Sequence, residues 1–264
     1  MKDTFTKQDI LEGIKHNQFV VHYQPIIDKK DNRILSGEAL VRWQHPRHGF
    51  LHPNSFIGIA EKTGAIRELG EYVLREACRH SKTWSDKGYP FFRMTVNISL
   101  SQLEDREFTA RVKRILEETG ANPDHIAFEL TETMAMSDPD HTRSTLVALK
   151  ALGVRIVLDD FGAGYSSLSH LRHFPVDALK IDGQFIKQSL YSERDCKLMQ
   201  SIILLGKALD LHVVAEGVET EEQLALLKKL DCHFMQGFYF THALPHEEYR
   251  EWCHLYVTDP RVRM

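Results

Sequence analysis

No apolar run in these 264 residues approaches the roughly 18 needed to cross a bilayer, so no membrane span is expected. The opening stretch, MKDTFTKQDILEGI, is charged and amphipathic and lacks the pattern of a secretory leader. Cysteine is scarce. The four that occur, Cys78, Cys196, Cys232 and Cys253, are widely spaced and form no CxxC pair, which reads as unpaired thiols in a reducing, cytoplasmic setting. Neither sign of charge dominates, with 33 basic against 37 acidic residues and a net charge of -4. Without a global basic field, binding to long DNA or RNA is not expected, and a small anionic substrate needs a local site. No Gly/Ser-rich or Pro-rich linker interrupts the chain, so one domain over 1–264 is expected, its core about 18–250.

What is present is an alternation. Short β-branched runs begin at Phe19, Ile34, Phe92, Ile126, Val154, Val176, Leu211 and His233. Between them lie amphipathic stretches with helical spacing. Ile66–Asp86 is the longest. Ser101–Thr119 opens on an S-x-x-E pattern (Ser101, Glu104) and stops at Gly120; Thr142–Leu152 stops at Gly153; Glu221–Leu230 follows the capping residue Thr220. About eight strands joined mainly through helices favour a closed barrel over a doubly wound sheet. One connection breaks the rule. Only DKKDNR separates Ile27 from Ile34, too short for a parallel crossover, so the first two strands should form an antiparallel hairpin. The expected fold is a modified TIM-type (β/α)8 barrel with its first strand antiparallel.

The strands from the second onward end in polar residues: Glu38, Asn97, Glu129, the pair Asp159–Asp160, Lys180 with Asp182, Glu216, and Gln236. A barrel brings its strand ends together at one mouth. Carboxylates gathered there would repel one another and take up protons unless a cation intervened. The candidate ligands are all oxygen donors, which favours Mg²⁺ or Mn²⁺ over zinc. The adjacent Asp159 and Asp160 suggest two ions. Lys180 has two readings, an ion-pair partner among acids or a group that holds, and helps deprotonate, an attacking water. Arg42 is either a surface arginine or a fork for phosphate. DFGAGYSSLSHL, from Asp160, places Gly162 and Gly164 after a strand, as a mobile lid or a plain turn. It is neither a Walker loop nor a kinase DFG, because GKS/GKT, VAIK and HRD are missing.

These strings resemble a known family. EALVRW (Glu38–Trp43) looks like the signature of EAL-domain cyclic di-GMP phosphodiesterases. YQP at Tyr23, VNIS at Val96, ELTE at Glu129, DDFGAGYSSL at Asp159, LKID at Leu179, AEGVET at Ala215 and QGFYF at Gln236 follow in family order, from about Gln18 to Tyr249. The resemblance implies hydrolysis of cyclic di-GMP to linear 5′-pGpG by in-line attack of metal-activated water, with two Mg²⁺ or Mn²⁺ ions. It implies Glu38, Asn97, Glu129, Asp159, Asp160 and Glu216 as metal ligands, with Lys180 on the catalytic water and Gln236 supporting the metal and water shell. Gln24, Leu40 and Arg42 align with substrate contacts, and Asp182 and Glu219 are secondary candidates. Glu132 resembles the residue anchoring the Asp-Phe-Gly loop, which the family couples to a homodimer interface. Sensory or GGDEF domains in a longer parent protein go with the same resemblance. The departures are Ala163 for threonine, Gly58 for proline, and Ala243 for a proline in the tail. The alternatives are a catalytically silent cyclic di-GMP receptor and an unrelated lysine-using barrel lyase.

Overall fold

The turn after Ile27 is closed by the carboxylate of Asp28, whose Oδ1 accepts from the amides of Lys30 (3.1 Å) and Asp31 (3.4 Å) while Oδ2 accepts from Arg33 Nε (3.0 Å). It joins β1 (Phe19–Asp28) to β2 (Arg33–His45) as an antiparallel hairpin, as the short connection requires. The computed structural model describes residues 5–31, 33–88, 93–162 and 174–259. A short β3 (Gly49–Leu51) folds back on β2. From there β4 (Arg93–Asn97), β5 (Ile126–Thr131), β6 (Arg155–Phe161), β7 (Ala178–Ile181), β8 (His212–Ala215) and β9 (Phe234–Met235) add in parallel. Finally β9 pairs antiparallel with β1, closing eight strands into a barrel in which β1 alone runs the other way. β10 (Leu244–Pro245) lies outside the ring on β1.

Helices cover the barrel because each buries one stripe. Ile66–Asp86 forms over the expected span and turns Ile66, Leu69, Val73, Ala77, Ser81 and Trp84 inward at steps of three and four. Each buried large side chain contributes about 1.5–3 kcal/mol of transfer energy. No helix among the described residues is long and apolar enough to cross a membrane.

Two helix expectations need correction. Ser101–Thr119 is not one helix but two, Leu100–Leu103 and Phe108–Thr119. The capping box is Ser99 with Gln102, two residues before the S-x-x-E pattern. The break follows because Asp105 accepts from the Glu107 amide (2.9 Å) and pairs with Arg67 and Arg111, which ties it outside any helix. The helix expected over Thr142–Leu152 starts at Pro139, capped by Asp138, since proline suits a first turn. Glu221–Lys229 has its expected cap in Thr220.

Candidate active site

Alternation along the strands sorts the barrel interior into layers. Glu38, Asn97, Glu129, Asp159 and Lys180 belong to the layer at the mouth, Gln24 enters it from the reversed β1, and Glu216 and Gln236 follow the last residues of β8 and β9. The amide of Glu216 bonds the Ile181 carbonyl (3.0 Å) and that of Gln236 the Ala215 carbonyl (2.8 Å), so both keep the ladder's register past the strand ends. Glycine allows the loops to close up. A Cβ on Gly217, whose φ is +62°, would lie 3.0 Å from the Cα of Gly183, so the turns after β7 and β8 touch backbone to backbone.

Lys180 is 1% exposed and forms the hub. Its Nζ pairs with Glu129 and Glu216 and reaches Glu38 Oε2 at 3.2 Å. Glu38 is clamped from both sides. Asn97 Nδ2 donates to its Oε1 (2.8 Å) and Gln236 Nε2 to its Oε2 (2.7 Å). Gln236 Nε2 also reaches Gln24 Oε1 (3.2 Å), and Gln24 Nε2 donates to the Thr241 carbonyl (3.1 Å). Thr241 had no signal in the sequence, because its contribution is a backbone oxygen.

One ammonium faces four carboxylates, and their titration shows the imbalance. Burial works against ionised Glu38, but the Lys180 charge and the bonds from Gln236 and Asn97 outweigh it and hold the carboxyl below its ordinary value. Glu129 has no such donors, and burial raises it well above the carboxylate range despite Lys180. Burial, with Asp159 and Glu38 nearby, pushes Glu216 up to about 8. Asp159 is raised by burial and by the charges of Glu38 and Asp160. Burial disfavours the charged Lys180, yet Glu129, Glu216 and Glu38 keep it protonated well above its usual range.

Asp160 is placed by an irregularity. The β6–β7 register shifts between Leu158 and Phe161, and Asp160 takes a left-handed φ of +56° while its amide bonds Asp159 Oδ1 (2.8 Å). A bulge of this kind re-aims side chains that would otherwise alternate. Asp160 is half-buried, and burial and the charge of Asp182 raise its pKa.

The remaining candidates lie further out. Arg42 is half-buried on β2 with Nη1 on the Val41 carbonyl (2.9 Å), and Leu40 precedes it on the same strand. Asp182 accepts from the Gln184 amide (2.9 Å) as the cap of Gly183–Ser189. Glu132 is buried at the start of Glu132–Ala135. Glu219 is exposed, with its amide on Gln223 Oε1 (2.6 Å). Gly162 follows β6 with φ +95°, where a Cβ would meet Ile202 Cδ1 at 3.2 Å; Gly164 and Ala163 lie outside the described residues.

Ligand oxygens of Glu38, Glu129 and Glu216 lie within 4.8 Å of one another. Glu129 Oε2 and Gln236 Oε1 are buried without a hydrogen-bond partner among the described residues. Orphaned buried oxygens beside excess negative charge fit a hard divalent cation. The EAL domain family model matches residues 7–243. The chain belongs to the EAL domain family. Similar proteins include the bifunctional diguanylate cyclase/cyclic di-GMP phosphodiesterase MucR of Pseudomonas aeruginosa, 40% identical over 91% of this chain and 35% of its own length. Cyclic di-GMP phosphodiesterase NbdA of the same organism is 40% identical over 96% of this chain and 32% of its own length. The chain thus spans about a third of the curated relatives it matches. Among solved structures, the MucR phosphodiesterase in complex with c-di-GMP superposes with a TM-score of 0.88 at 40% identity, covering 92% of this chain and 98% of that one. An EAL domain protein from Listeria monocytogenes gives 0.81 at 30% identity, over 94% and 97%.

Proposed function

We propose that this EAL domain hydrolyses cyclic di-GMP to linear 5′-pGpG with two Mg²⁺ or Mn²⁺ ions. The observation that carries the reading is the buried cluster of Glu38, Glu129, Asp159 and Glu216 around one Lys180, with carboxylate and amide oxygens left over. Relatives named as cyclic di-GMP phosphodiesterases support the substrate.

Glu38, Asn97, Glu129, Asp159, Asp160 and Glu216 would hold the ions. Bound there, divalent cations lower the pKa of water and stabilise the entering and leaving oxygens of an in-line displacement. Lys180 keeps its proton at Nζ and can donate it in a hydrogen bond to the attacking water. Gln236 fixes Glu38 through Nε2 and leaves Oε1 to accept from the same water. Arg42 offers its remaining guanidinium donors to a phosphate, and Gln24 and Leu40 border the substrate along β1 and β2, a contribution through orientation. Water gives up a proton as it adds to one phosphorus, the phosphorus–3′ oxygen bond breaks, the departing 3′ oxygen takes up a proton, and the ring opens.

The test is release of pGpG by purified protein with Mn²⁺, in wild type and in Glu38→Ala and Asp159→Ala. Wild type turns over, and each variant falls by at least about 10³-fold, the scale of losing electrostatic stabilisation in such a site. Tight binding without pGpG would identify a receptor; normal turnover in either variant would overturn the site.

A homodimer is part of the proposal. Gly162 itself lies beside Ile202, and one turn earlier on that helix, Glu193–Ala208, Leu198 is 47% exposed. A second copy covering Leu198 would join Gly162 to an interface. Sedimentation across protein concentrations checks it, and a persistent monomer counts against it. The setting proposed is cytoplasmic, as one domain with its core over 18–250, alongside sensory or GGDEF domains of a longer protein.

A further inference from the structure

The end of the barrel opposite the mouth is hollow. Two residues before the mouth layer the strands supply Ser36, Thr95, Ala127 and Ala178 alongside Val157 and Val214, and they line a cavity of about 340 Å³. Bulky branched residues ordinarily fill such layers. One step lower, Arg93, Arg155 and His212, the first residues of β4, β6 and β8, stand around its opening.

The charges there are unequally engaged. Arg155 Nε donates to Asp124 Oδ1 (2.7 Å) and Nη1 to Asp177 Oδ1 (3.1 Å). Asp177 takes Lys150 Nζ on both oxygens (2.6 and 2.8 Å) and the Ile156 amide (2.8 Å), so its charge is neutralised. The other lining carboxylate, Asp210, is exposed. Arg93 differs from all of these. It is half-buried, and its Nε donates to the Asp124 carbonyl (3.2 Å), its one hydrogen bond among the described residues. Four N–H donors of a half-buried guanidinium remain beside a cavity whose two wall carboxylates are matched by Lys150 and Arg155, for Asp177, or exposed, for Asp210. A planar fork in that state matches an oxyanion in two parallel bonds. The apolar lining, Ile26, Leu35, Val176, Leu211 and Val214, suits a compact body behind it. The volume lies at the low end for small-ligand sites.

We propose that this cavity is a second binding site, for a small oxyanion on a compact, partly apolar body, with Arg93 holding the oxyanion. The ligand class is a phosphomonoester or carboxylate of about ten heavy atoms, far smaller than a cyclic dinucleotide.

Calorimetric titration with phenyl phosphate, benzoate and inorganic phosphate at matched ionic strength tests it. Phenyl phosphate or benzoate should bind wild type more tightly than inorganic phosphate, and which of the two wins tells phosphate from carboxylate. Arg93→Met should weaken binding at least tenfold, while Glu38→Gln, which alters only the mouth, should leave it within twofold. No heat with any probe, equal affinity in Arg93→Met, or loss in Glu38→Gln would overturn the site. If Arg93→Met does not fold, Arg93→Lys decides, since it keeps the charge and stem but loses the fork: weakened binding supports the proposal and unchanged binding overturns it.

Discussion

Glu129 and Asp177 are both carboxylates at the ends of barrel strands, one at the mouth and one at the floor. Glu129 is fully buried, shares a single lysine with three other acids, and keeps an oxygen without a hydrogen bond among the described residues. Asp177 is partly exposed and receives a lysine, an arginine and a backbone amide, which together hold its carboxyl below the ordinary range although burial opposes them. The same residue class is therefore driven in opposite directions by its partners. An unbalanced buried charge costs stability unless a ligand completes it, so the mouth is strained toward binding and the Asp177 network toward cohesion.

The largest expected effect breaks that contrast at its sharpest point. Glu129→Gln should lower pGpG release by at least about 10³-fold, yet leave the chelator-treated protein as stable as wild type or more so, because an excess charge is gone. Thermal melting with and without Mn²⁺ reads the second half: wild type should gain about 2.7 kcal/mol at 100 times the dissociation constant, and the variant far less. A variant that melts lower than wild type without metal would show that the mouth is not strained.

Asp177→Asn should behave the other way. It strips Lys150 of its carboxylate and Arg155 of one of its two, and should cost about 1–3 kcal/mol by urea denaturation, with turnover per folded molecule unchanged. Loss of turnover at full stability would join the two ends functionally.

A third region sharpens the comparison, since its polar groups are neutral. His80 and His246 stack at 3.7 Å between the outer helices, with Tyr23 Oη 2.7 Å from His80 Nδ1 and Trp84 Nε1 donating to His246 Nε2 (2.6 Å). Burial pushes both imidazoles down to about 4 from an ordinary 6.5. Below 6.5 the unfolded chain binds protons that the folded one refuses, so stability should fall as pH drops from about 6.5 to about 4 and be insensitive to these groups above that window. The loss should reach about 2 kcal/mol after allowance for partial exposure. His80→Gln should flatten that acid limb, and an unchanged limb would contradict it. The smallest effect is Gly58→Pro. Gly58 sits in the first turn of Ile57–Thr63 with open space around it, and proline there should add about 0.5 kcal/mol by restricting the unfolded chain.

The barrel and most of its mouth were legible because one short turn fixed the hairpin and the strand-end acids fell at a constant place in each repeat. Lys180 was open to two readings in sequence, an ion-pair partner or a group on the attacking water, and its three carboxylate partners are compatible with both. Asp160 was a candidate by its residue type, but its irregular backbone could not be read, since a left-handed aspartate leaves no trace in composition. The helix break at Asp105 was hidden because it depends in part on Arg67, distant in the chain, and on Arg111 folding back from the next helix. The floor was missed for a related reason: Arg93 and Arg155 read as ordinary strand-initial residues until closure brought them to one opening.

The reversal of β1 sets how other parts of a polypeptide reach the site. In an all-parallel barrel the first strand starts at the floor. Here Phe19 begins at the mouth, and Lys7–Lys15 packs beside it, with Gly13 against Phe19 and Trp43. Any segment joined ahead of that helix is delivered to the mouth face, where a modest shift of its anchor could bear on Gln24 along a single strand. The hairpin thus acts as a routing device, placing incoming chain within reach of the acidic mouth.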